Sequence, residues 1–325
     1  MVIYRTWGSS LSLKHKKEHA VARTLFFIFA GLAVLATTIS VFMKGRNVAL
    51  LNPKGTIANQ ERGIMIFAII VVLAIAVPTV FILYLTAWKY RESNKNKAYH
   101  PAPEQKGKLF IITAWVLPTF FMLILAIVLV PATHKLAPQK AVADGVQPVT
   151  IQVVAMRWKW LFIYPDQKVA SVNFVQIPKN TPIFFQLTAD EAPMSSFWVP
   201  NISGQLYAMT GHVNGLNLMA SKEGDYPGRS AEINGAGFEG MKFVARVRSE
   251  DDFNSWVKNV RSFSTPLDKS SYANLLKPSE NNQITSYILS DNSLYTQAVM
   301  KYAGSMHMNS KMQMNDSTSM DMGSN

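Results

Sequence analysis

The sequence predicts a membrane-anchored α+β protein, in which a transmembrane helix hairpin precedes an all-β polar domain and a C-terminal helical arm. Three features support this prediction: long apolar runs in the first 130 residues, short β-type runs punctuated by Gly, Pro and Asn from residue 149, and a helical pattern after Ser249. Of the 325 residues 49% are hydrophobic and only 16% are charged, which is typical of a membrane protein that carries a polar domain.

Three apolar runs, residues 24–43, 63–88 and 109–130, have the roughly 20 residues that a helix needs to cross a bilayer. The first run is too long for the apolar part of a secretory signal, and no clear A-x-A cleavage site follows it. We therefore expect an extra N-terminal hydrophobic helix that is retained, with a cleaved signal as the alternative.

The positive charge is concentrated beside these runs. Residues 1–23 contain five Lys or Arg against one Glu, and residues 89–108 contain six against two, so the two stretches supply +8 of the formal +12. Basic residues that flank apolar runs indicate the cytoplasmic side of a membrane, not a nucleic-acid surface. Everything after residue 130 is then expected outside, which is the periplasm in a Gram-negative cell.

The chain has no cysteine, which excludes disulfides, thiolate metal sites and cysteine nucleophiles. Of the six histidines only His15 and His19 have a metal-type spacing, and they lie among lysines in what we interpret as a solvated basic tail. No catalytic triad, phosphate loop or carboxylate pair is recognisable in the polar domain, so no catalytic residue is predicted.

The polar domain is predicted as a sandwich or barrel of short strands. The predicted strands are residues 149–164, 172–177, 182–188, 216–220 and 241–247. Ser249 followed by Asp252 predicts a capped helix start, and a second helix is predicted over residues 270–276. From residue 304 the sequence is mostly Met, Ser, Asn and Asp with no other large apolar side chain, which predicts a disordered tail.

These shifts in composition divide the chain into five parts. They are the basic tail with the first hydrophobic segment (1–44), the helix hairpin (45–135), the periplasmic β-domain (146–248), the helical arm (249–302) and the Met-rich tail (303–325).

Four short segments have a family likeness: residues 45–55 (GRNVALLNPKG), 88–91 (WKYR), 155–165 (AMRWKWLFIYP) and 196–200 (SFWVP). They resemble subunit II of haem-copper terminal oxidases, particularly that of bo-type ubiquinol oxidases, and the similarity extends from about residue 45 to about residue 302. The resemblance implies a cupredoxin-like Greek-key sandwich. Arg46 stands where that family usually has a lipid-modified Cys, so no lipid anchor is expected.

Residues 230–241 (SAEINGAGFEGM) resemble the loop C-x-E-x-C-G-x-x-H-x-x-M, which holds the binuclear copper centre CuA in cytochrome c oxidases. With one upstream His position, the corresponding residues here are Ser195, Ser230, Glu232, Asn234, Phe238 and Met241. Only the Glu and the Met match. Ser and Asn cannot bridge two coppers and Phe cannot ligate, so a degenerate CuA site without metal or cofactor is predicted.

The resemblance implies subunit II of a proton-pumping quinol:oxygen oxidoreductase of the aerobic respiratory chain, a structural or assembly subunit without its own redox centre. CuA receives electrons from water-soluble cytochrome c, whereas a quinol reaches the large subunit within the membrane. Residues 146–248 contain nine Lys or Arg and seven Asp or Glu, so no acidic excess attracts cytochrome c.

The implied partners are oxidase subunits I, III and IV, membrane lipid and ubiquinol as substrate of the complex, without cytochrome c or nucleic acid. Haems and CuB are expected in subunit I, and the chain is expected to be a multi-pass protein of the bacterial inner membrane with a periplasmic C-terminal domain. Ile111 stands where related subunits have a proton-channel glutamate. Whether Glu104 replaces it stays open.

Three alternatives remain open on the sequence alone. The first is a cytochrome c oxidase subunit II-like protein, against which the missing ligands argue. The second is a periplasmic copper-handling membrane protein, because the tail contains Met306, Met308, Met312, Met314, Met320 and Met322 with His307. The third is a purely structural membrane protein, which would be purified without haem.

Overall fold

The computed structural model describes residues 37–38, 48–89, 104–143 and 145–302. Almost all of the first predicted hydrophobic helix and all of the Met-rich tail lie outside the described residues. The chain divides into two compact units at Asn52 and Pro53, and a 3-10 turn, Ala49–Leu51, is described in the first unit. The elements below belong to the second unit.

Two long helices form the anchor. Helix α1 is Thr56–Lys89 and helix α2 is Glu104–Lys135, and both are apolar on all sides, as expected for helices surrounded by lipid. Thr56–Lys89 and Ile111–Lys135 are long and apolar enough to cross a membrane. The two predicted helices of the hairpin are therefore confirmed. Each helix also includes polar residues that flank its apolar run.

The β-domain consists of two sheets. The strands are β1 Val149–Met156, β2 Lys159–Tyr164, β3 Val169–Val172, β4 Phe174–Pro178, β5 Ile183–Ala189, β6 Ser195–Trp198, β7 Leu206–Ala208, β8 Asn214–Leu218, β9 Gly224–Ser230, β10 Lys242–Arg248, β11 Thr265–Leu267 and β12 Thr285–Leu289. One sheet has the order β11-β12-β3-β2-β1-β5-β8 and the other has the order β4-β10-β9-β6-β7.

An aromatic cluster fills the space between the sheets. The rings of Phe197 and Phe243 stack with centroids 5.0 Å apart, and the ring of Trp160 meets each of them edge-on. The other face of β2 presents Leu161 and Ile163 to a second core beneath the C-terminal arm. Because both faces of β2 are buried, its sequence is an unbroken apolar run instead of an alternating one.

Two predicted single strands are each two strands in the structure. Residues 149–164 form a hairpin that turns at Trp158 (φ 63°), and residues 172–177 divide at Asn173 (φ 55°), which sends β3 and β4 into different sheets. A side-chain pattern does not reveal the sign of φ. The two predictions were therefore wrong in treating each run as one continuous strand. Asn adopts left-handed backbone more readily than most residues, whereas Trp does so rarely.

Strands β6, β7, β9, β11 and β12 were not predicted, and the predicted run 172–177 includes only the last residue of β3. Strand β9 contains Pro227 and two glycines, residue types that are depleted in strands. It is held by antiparallel pairing with β10, in which Gly228 lies opposite Phe243. A Cβ at Gly228 would lie 2.1 Å from an atom of the Phe243 ring, so glycine is required there.

The arm begins as predicted. Helix α3 is Glu250–Phe263, and the Ser249 hydroxyl accepts a hydrogen bond from the Asp252 N–H at 3.2 Å. Helix α4 is Lys269–Leu276, one residue longer than predicted, and residues 294–302 are helical. The arm is not purely helical, because β11 and β12 extend the larger sheet.

The start of α1 is bonded directly to the β-domain. Gly55 forms an isolated bridge with Ala220, and the backbone N–H of Lys54 donates to the Asn201 carbonyl at 2.6 Å. A Cβ at Gly55 would lie 2.1 Å from the Ile202 carbonyl oxygen, so only glycine permits this approach. The contacts hold the β-domain against the N-terminal end of α1.

Candidate functional site

The smaller sheet brings the predicted CuA positions together. Ser195 opens β6, Ser230 ends β9 and Met241 directly precedes β10, and these three strands are neighbours in the order β10-β9-β6. The Ser230 N–H donates to the Met241 carbonyl at 3.3 Å. Positions almost fifty residues apart in the sequence therefore meet at one end of the sheet.

Asn234 connects the site. Its side-chain Nδ2 donates to Ser195 Oγ at 2.7 Å and to Met241 Sδ at 3.1 Å. Ser195 and Met241 are completely buried, and the Ser195 hydroxyl donates to the Pro193 carbonyl at 3.1 Å. Three of the six positions are thus in direct contact through one carboxamide. The Asn234 Oδ1 atom is buried and has no hydrogen-bond partner within the described ranges.

Ser230 and Glu232 form the neighbouring part of the loop. The Ser230 hydroxyl donates to the Glu232 carbonyl at 3.0 Å. One oxygen of the Glu232 carboxylate, Oε2, is buried without a partner among the residues that the structure describes. The Glu232 charge and a hydrogen bond from Tyr207 to it raise the pKa of the Tyr207 hydroxyl.

Phe238 occupies the predicted position of the loop histidine. It begins a 3-10 turn, Phe238–Gly240, and is half-buried. The turn is closed by the Met241 N–H, which donates to the Phe238 carbonyl at 3.1 Å. The backbone of the loop is therefore compact, and its aromatic side chain has no atom that could ligate a metal.

Trp158 packs on the same loop, a placement that the sequence analysis missed. A Cβ at Gly237 would lie 2.4 Å from an atom of the indole ring, and one at Gly235 would lie 3.2 Å from it. The two glycines therefore let the indole lie on the loop. A groove of about 780 Å³ is lined in part by Trp158, Asn234 and Tyr302. The paired glycines were the available sequence signal.

The side chains at the six positions do not fit a binuclear copper centre. Copper that alternates between its two oxidation states is held by soft sulfur and imidazole ligands, and bridging requires thiolates. The described site offers two hydroxyls, a carboxamide, a carboxylate, a phenyl ring and one thioether. Within the described part of the chain no three His, Asp or Glu side chains are grouped to hold a metal ion.

A second polar cluster, also missed from the sequence, fixes the arm beside the site. Asp190, at the end of β5, is buried and accepts hydrogen bonds from the hydroxyls of Tyr272 (2.8 Å) and Tyr302 (2.9 Å). Lys301 Nζ lies 3.0 Å from the same carboxylate. Burial and the Asp190 charge raise the pKa of Tyr272, so its hydroxyl stays protonated as a donor. An acidic residue directly after a buried strand was the available signal.

Comparisons with known proteins decide the family. The model of the cytochrome c oxidase subunit II periplasmic domain matches residues 167–248, and that of the COX aromatic rich motif matches residues 261–306. Cytochrome bo(3) ubiquinol oxidase subunit 2 of Pseudomonas putida is 39% identical over 264 residues, which are 81% of this chain and 83% of the relative. The chain belongs to the ubiquinol oxidase subunit 2 family. Ubiquinol oxidase subunit 2 of Acetobacter aceti is 36% identical over 271 residues, covering 83% of this chain and 87% of that one.

Among solved structures, the periplasmic domain of subunit II of cytochrome oxidase from Bradyrhizobium japonicum is 25% identical, with a TM-score of 0.34. It covers 38% of this chain, which spans 97% of that structure's chain. The predicted family and the predicted fold class, two apolar helices with a cupredoxin-like sandwich and a C-terminal arm, are confirmed. As a member of the ubiquinol oxidase subunit 2 family, the chain is a membrane-anchored part of an oxidoreductase complex with partner oxidase subunits.

The residue that corresponds to the proton-channel glutamate, Ile111, lies within α2. Glu104, the candidate substitute, is the first residue of the same helix. Seven residues of helix place its backbone about 10 Å along the axis from Ile111. Ile111 is exposed on the surface of α2.

Proposed function

We propose that this chain is subunit II of a proton-pumping quinol:oxygen oxidoreductase of the aerobic respiratory chain, in which it has a structural and assembly role and holds no redox centre. The observation that supports this most directly is the bonding of Asn234 between Ser195 and Met241. A residue at a bridging-ligand position is here bonded to two other ligand positions. The proposed CuA position is therefore occupied by protein hydrogen bonds.

Quinol as the donor follows from the chemistry of that replacement. A water-soluble one-electron donor needs an acceptor centre in the outward domain, whereas a quinol dissolved in the bilayer can give its electrons to the large subunit directly. The relatives from Pseudomonas putida and Acetobacter aceti are named as subunits of ubiquinol oxidases, which agrees with this donor. The near balance of acidic and basic residues in the β-domain gives no field to attract a basic cytochrome.

The complex is proposed to contain subunits I, III and IV, with the haems and CuB in subunit I. The chain is proposed to lie in the bacterial inner membrane as a multi-pass protein with a periplasmic C-terminal domain, and the five-part division of the sequence belongs to this proposal. The basic residues of the 89–108 segment support a cytoplasmic location for it. A reporter fused after Asn325 should be active only in the periplasm, and cytoplasmic activity would contradict the topology.

The decisive experiment is purification of the whole complex with ubiquinol and reduced cytochrome c offered as rival donors. Oxygen consumption should depend on ubiquinol, and metal analysis should find the copper of CuB without a further pair. Haem spectra of the same sample separate an oxidase subunit from a purely structural membrane protein. Turnover with cytochrome c, together with two additional coppers per complex, would refute the proposal.

A further inference from the structure

A groove opens between the two membrane helices at the end of the hairpin that adjoins the β-domain. Its volume is about 490 Å³, within the roughly 300–1,000 Å³ that is typical of small-molecule sites. It is lined mainly by apolar side chains, which include Ile64 and Met65 from α1 and Leu129, Ala132 and Leu136 from α2. The groove therefore offers an apolar surface to a molecule from the bilayer.

The β-domain holds both walls of this groove. The bridge between Gly55 and Ala220 fixes the start of α1. The Asn217 N–H donates to the Pro138 carbonyl at 2.8 Å, which fixes the turn after α2 to strand β8, and Pro138 itself lines the groove. The groove is therefore preformed, so a ligand that enters it does not have to order the helix ends first.

Glu61 is the only acidic or basic residue among the described residues that line the groove. It is half-buried, and a Cβ at Gly204 would lie 2.8 Å from its Oε1 atom, so the carboxylate lies against the loop that follows β6. Within the described ranges Glu61 has neither a hydrogen-bond donor nor an ion-pair partner. An ionisable side chain without a partner in a membrane helix marks a candidate ligand site, because a charge so placed is costly unless it is paired.

Glu61 lies at the level of the lipid headgroups. It precedes the apolar run 63–88 by two residues, a rise of about 3 Å along the helix axis. The headgroup zone is roughly 5–8 Å deep on each side of a bilayer, so the carboxylate falls within it. Met65 and Leu129 line the groove further along the helices, at the depth of the first acyl carbons.

A basic residue lies at the same end of the hairpin. Lys135 is in the last turn of α2, one residue before the groove residue Leu136. Its side chain is exposed and has no ion-pair partner in the part of the chain that the structure describes. The end of the hairpin thus presents an acid, a base and an apolar groove, which together match the parts of a zwitterionic phospholipid.

We propose that this groove binds one phospholipid whose headgroup carries a primary ammonium, as in phosphatidylethanolamine. The ammonium is a cation with three N–H donors, like that of lysine, and is the proposed partner of the Glu61 carboxylate. The start of one acyl chain fills the apolar groove, and Lys135 is the proposed partner of the phosphate. The proposal goes beyond the function in the oxidase, since it requires neither quinol nor the six predicted CuA positions.

Other common headgroups suit the groove less well. A choline headgroup is a cation without an N–H, so it cannot donate a hydrogen bond to Glu61. A glycerol headgroup leaves the phosphate charge beside the carboxylate without a cation between them, and like charges repel. The groove should therefore prefer phosphatidylethanolamine over phosphatidylcholine and phosphatidylglycerol.

The test uses the purified complex in nanodiscs of equal parts of phosphatidylethanolamine, phosphatidylcholine and phosphatidylglycerol. Native mass spectrometry of the released complex identifies and counts the lipids that stay bound. Glu61→Gln keeps the shape of the side chain and removes its charge, whereas Ala132→Phe keeps the charge and fills the groove. The unaltered complex should retain one phosphatidylethanolamine more than either variant.

Glu223→Gln is the matched control. Glu223 is a carboxylate near the start of α1, because the N–H of Ser221, two residues earlier, donates to the Lys54 carbonyl at 2.8 Å. It is already paired with Lys179 at 3.4 Å and does not line the groove, so this variant should retain the lipid. Ubiquinol oxidation should proceed in all four proteins, which distinguishes failure of this site from failure of the proposed function.

Three outcomes would overturn the proposal. The first is equal retention of phosphatidylethanolamine by the unaltered complex and by either groove variant. The second is retention of phosphatidylglycerol or a quinone in its place. The third is loss of this chain from the Glu61→Gln complex, which would assign the carboxylate to a basic residue of a partner subunit.

Discussion

If the six positions are a degenerate CuA site, as proposed, four substitutions should restore copper binding: Ser195→His, Ser230→Cys, Asn234→Cys and Phe238→His. The loop has the same length as the copper-binding motif, with Gly235 and Met241 in their expected places. The Asn234 side chain already lies within hydrogen-bond distance of the side chains of Ser195 and Met241. The backbone should therefore present the new ligands to a common point without a large rearrangement.

The cost of each substitution follows from its surroundings. An imidazole at the completely buried Ser195 position overpacks the core by about 1–3 kcal/mol. Ser230→Cys loses the hydrogen bond to the Glu232 carbonyl, about 1 kcal/mol. Asn234→Cys loses two hydrogen bonds but also removes a buried oxygen without a partner, so its net effect is close to zero.

The fourth change costs less than a full aromatic truncation. Phe238 is half-buried and His refills part of its volume, so the loss should lie well below the roughly 3–5 kcal/mol of Phe→Ala in a core. The copper-free variant should therefore be about 3–5 kcal/mol less stable than the parent. Copper at about a thousand times its Kd contributes roughly 4 kcal/mol, enough to offset most of that loss.

The assay is copper loading of the purified full chain, followed by optical and electron paramagnetic resonance spectra for a mixed-valence pair. Thermal unfolding with and without copper measures the offset. A fifth substitution, Met241→Leu, is the matched control, since it removes a weak ligand and should broaden or shift the spectrum while leaving the fold intact. A folded variant that binds no copper pair would refute the assignment of this loop.

Three other perturbations test the packing beside the site. Asp190→Ala deprives the Tyr272 hydroxyl of its acceptor and should lower the free energy of unfolding by about 3 kcal/mol. This value is the lower end for a broken buried ion pair, because the lysine partner is 41% exposed. Denaturant titration measures the loss, with Asp190→Asn as the milder control. Lys159→Met removes two hydrogen bonds of 2.8 Å to carbonyls at the end of α4 and should lower the free energy of unfolding by about 2–3 kcal/mol. It should also speed hydrogen exchange in α4 but not in α3. The hydrogen bond from Arg246 lowers the pKa of Asp225, so this half-exposed pair stabilises the fold above the unfolded Asp pKa of about 3.9. The stabilisation is lost as pH falls through the lower folded pKa. Asp225→Asn should therefore lower the free energy of unfolding by under about 1 kcal/mol at neutral pH and leave it unchanged near pH 2.

Apolar length and strong β-formers were sufficient to predict most of the fold. The two membrane helices and strands β1, β2, β4, β5, β8 and β10 were predicted because their apolar residue types mark them as buried. Strand β9 was missed because Pro227 and Gly228 owe their conformation to pairing with β10 and to the Phe243 ring. The turns at Trp158 and Asn173 were missed because a positive φ leaves no mark in hydrophobic periodicity.

The candidate site was located from the sequence, but its bonding was not. Motif spacing placed Ser230, Asn234 and Met241 on one loop and Ser195 nearby, and the structure brings Ser195, Asn234 and Met241 into contact. That Asn234 would join the other two depends on side-chain direction, which spacing does not encode. The Asp190 cluster is formed across a separation of 112 residues, so only the folded chain reveals it.

The proposed replacement of copper ligands at the six positions places polar side chains in a buried site, where they need hydrogen-bond partners. A completely buried position such as Ser195 must satisfy its polar atoms or lose stability, since an unpaired buried group costs about 1–3 kcal/mol. Asn234 supplies the donor, and the Met241 sulfur takes the second hydrogen of the same carboxamide. The retained methionine thus has a structural partner of its own, which explains how Met241 can be useful without a metal. Asn234→Ala loses both hydrogen bonds but also removes the unpaired Oδ1 atom, so it should destabilise the loop less than Phe238→Ala, which removes a half-buried ring. Hydrogen exchange of residues 230–241 distinguishes the two orders.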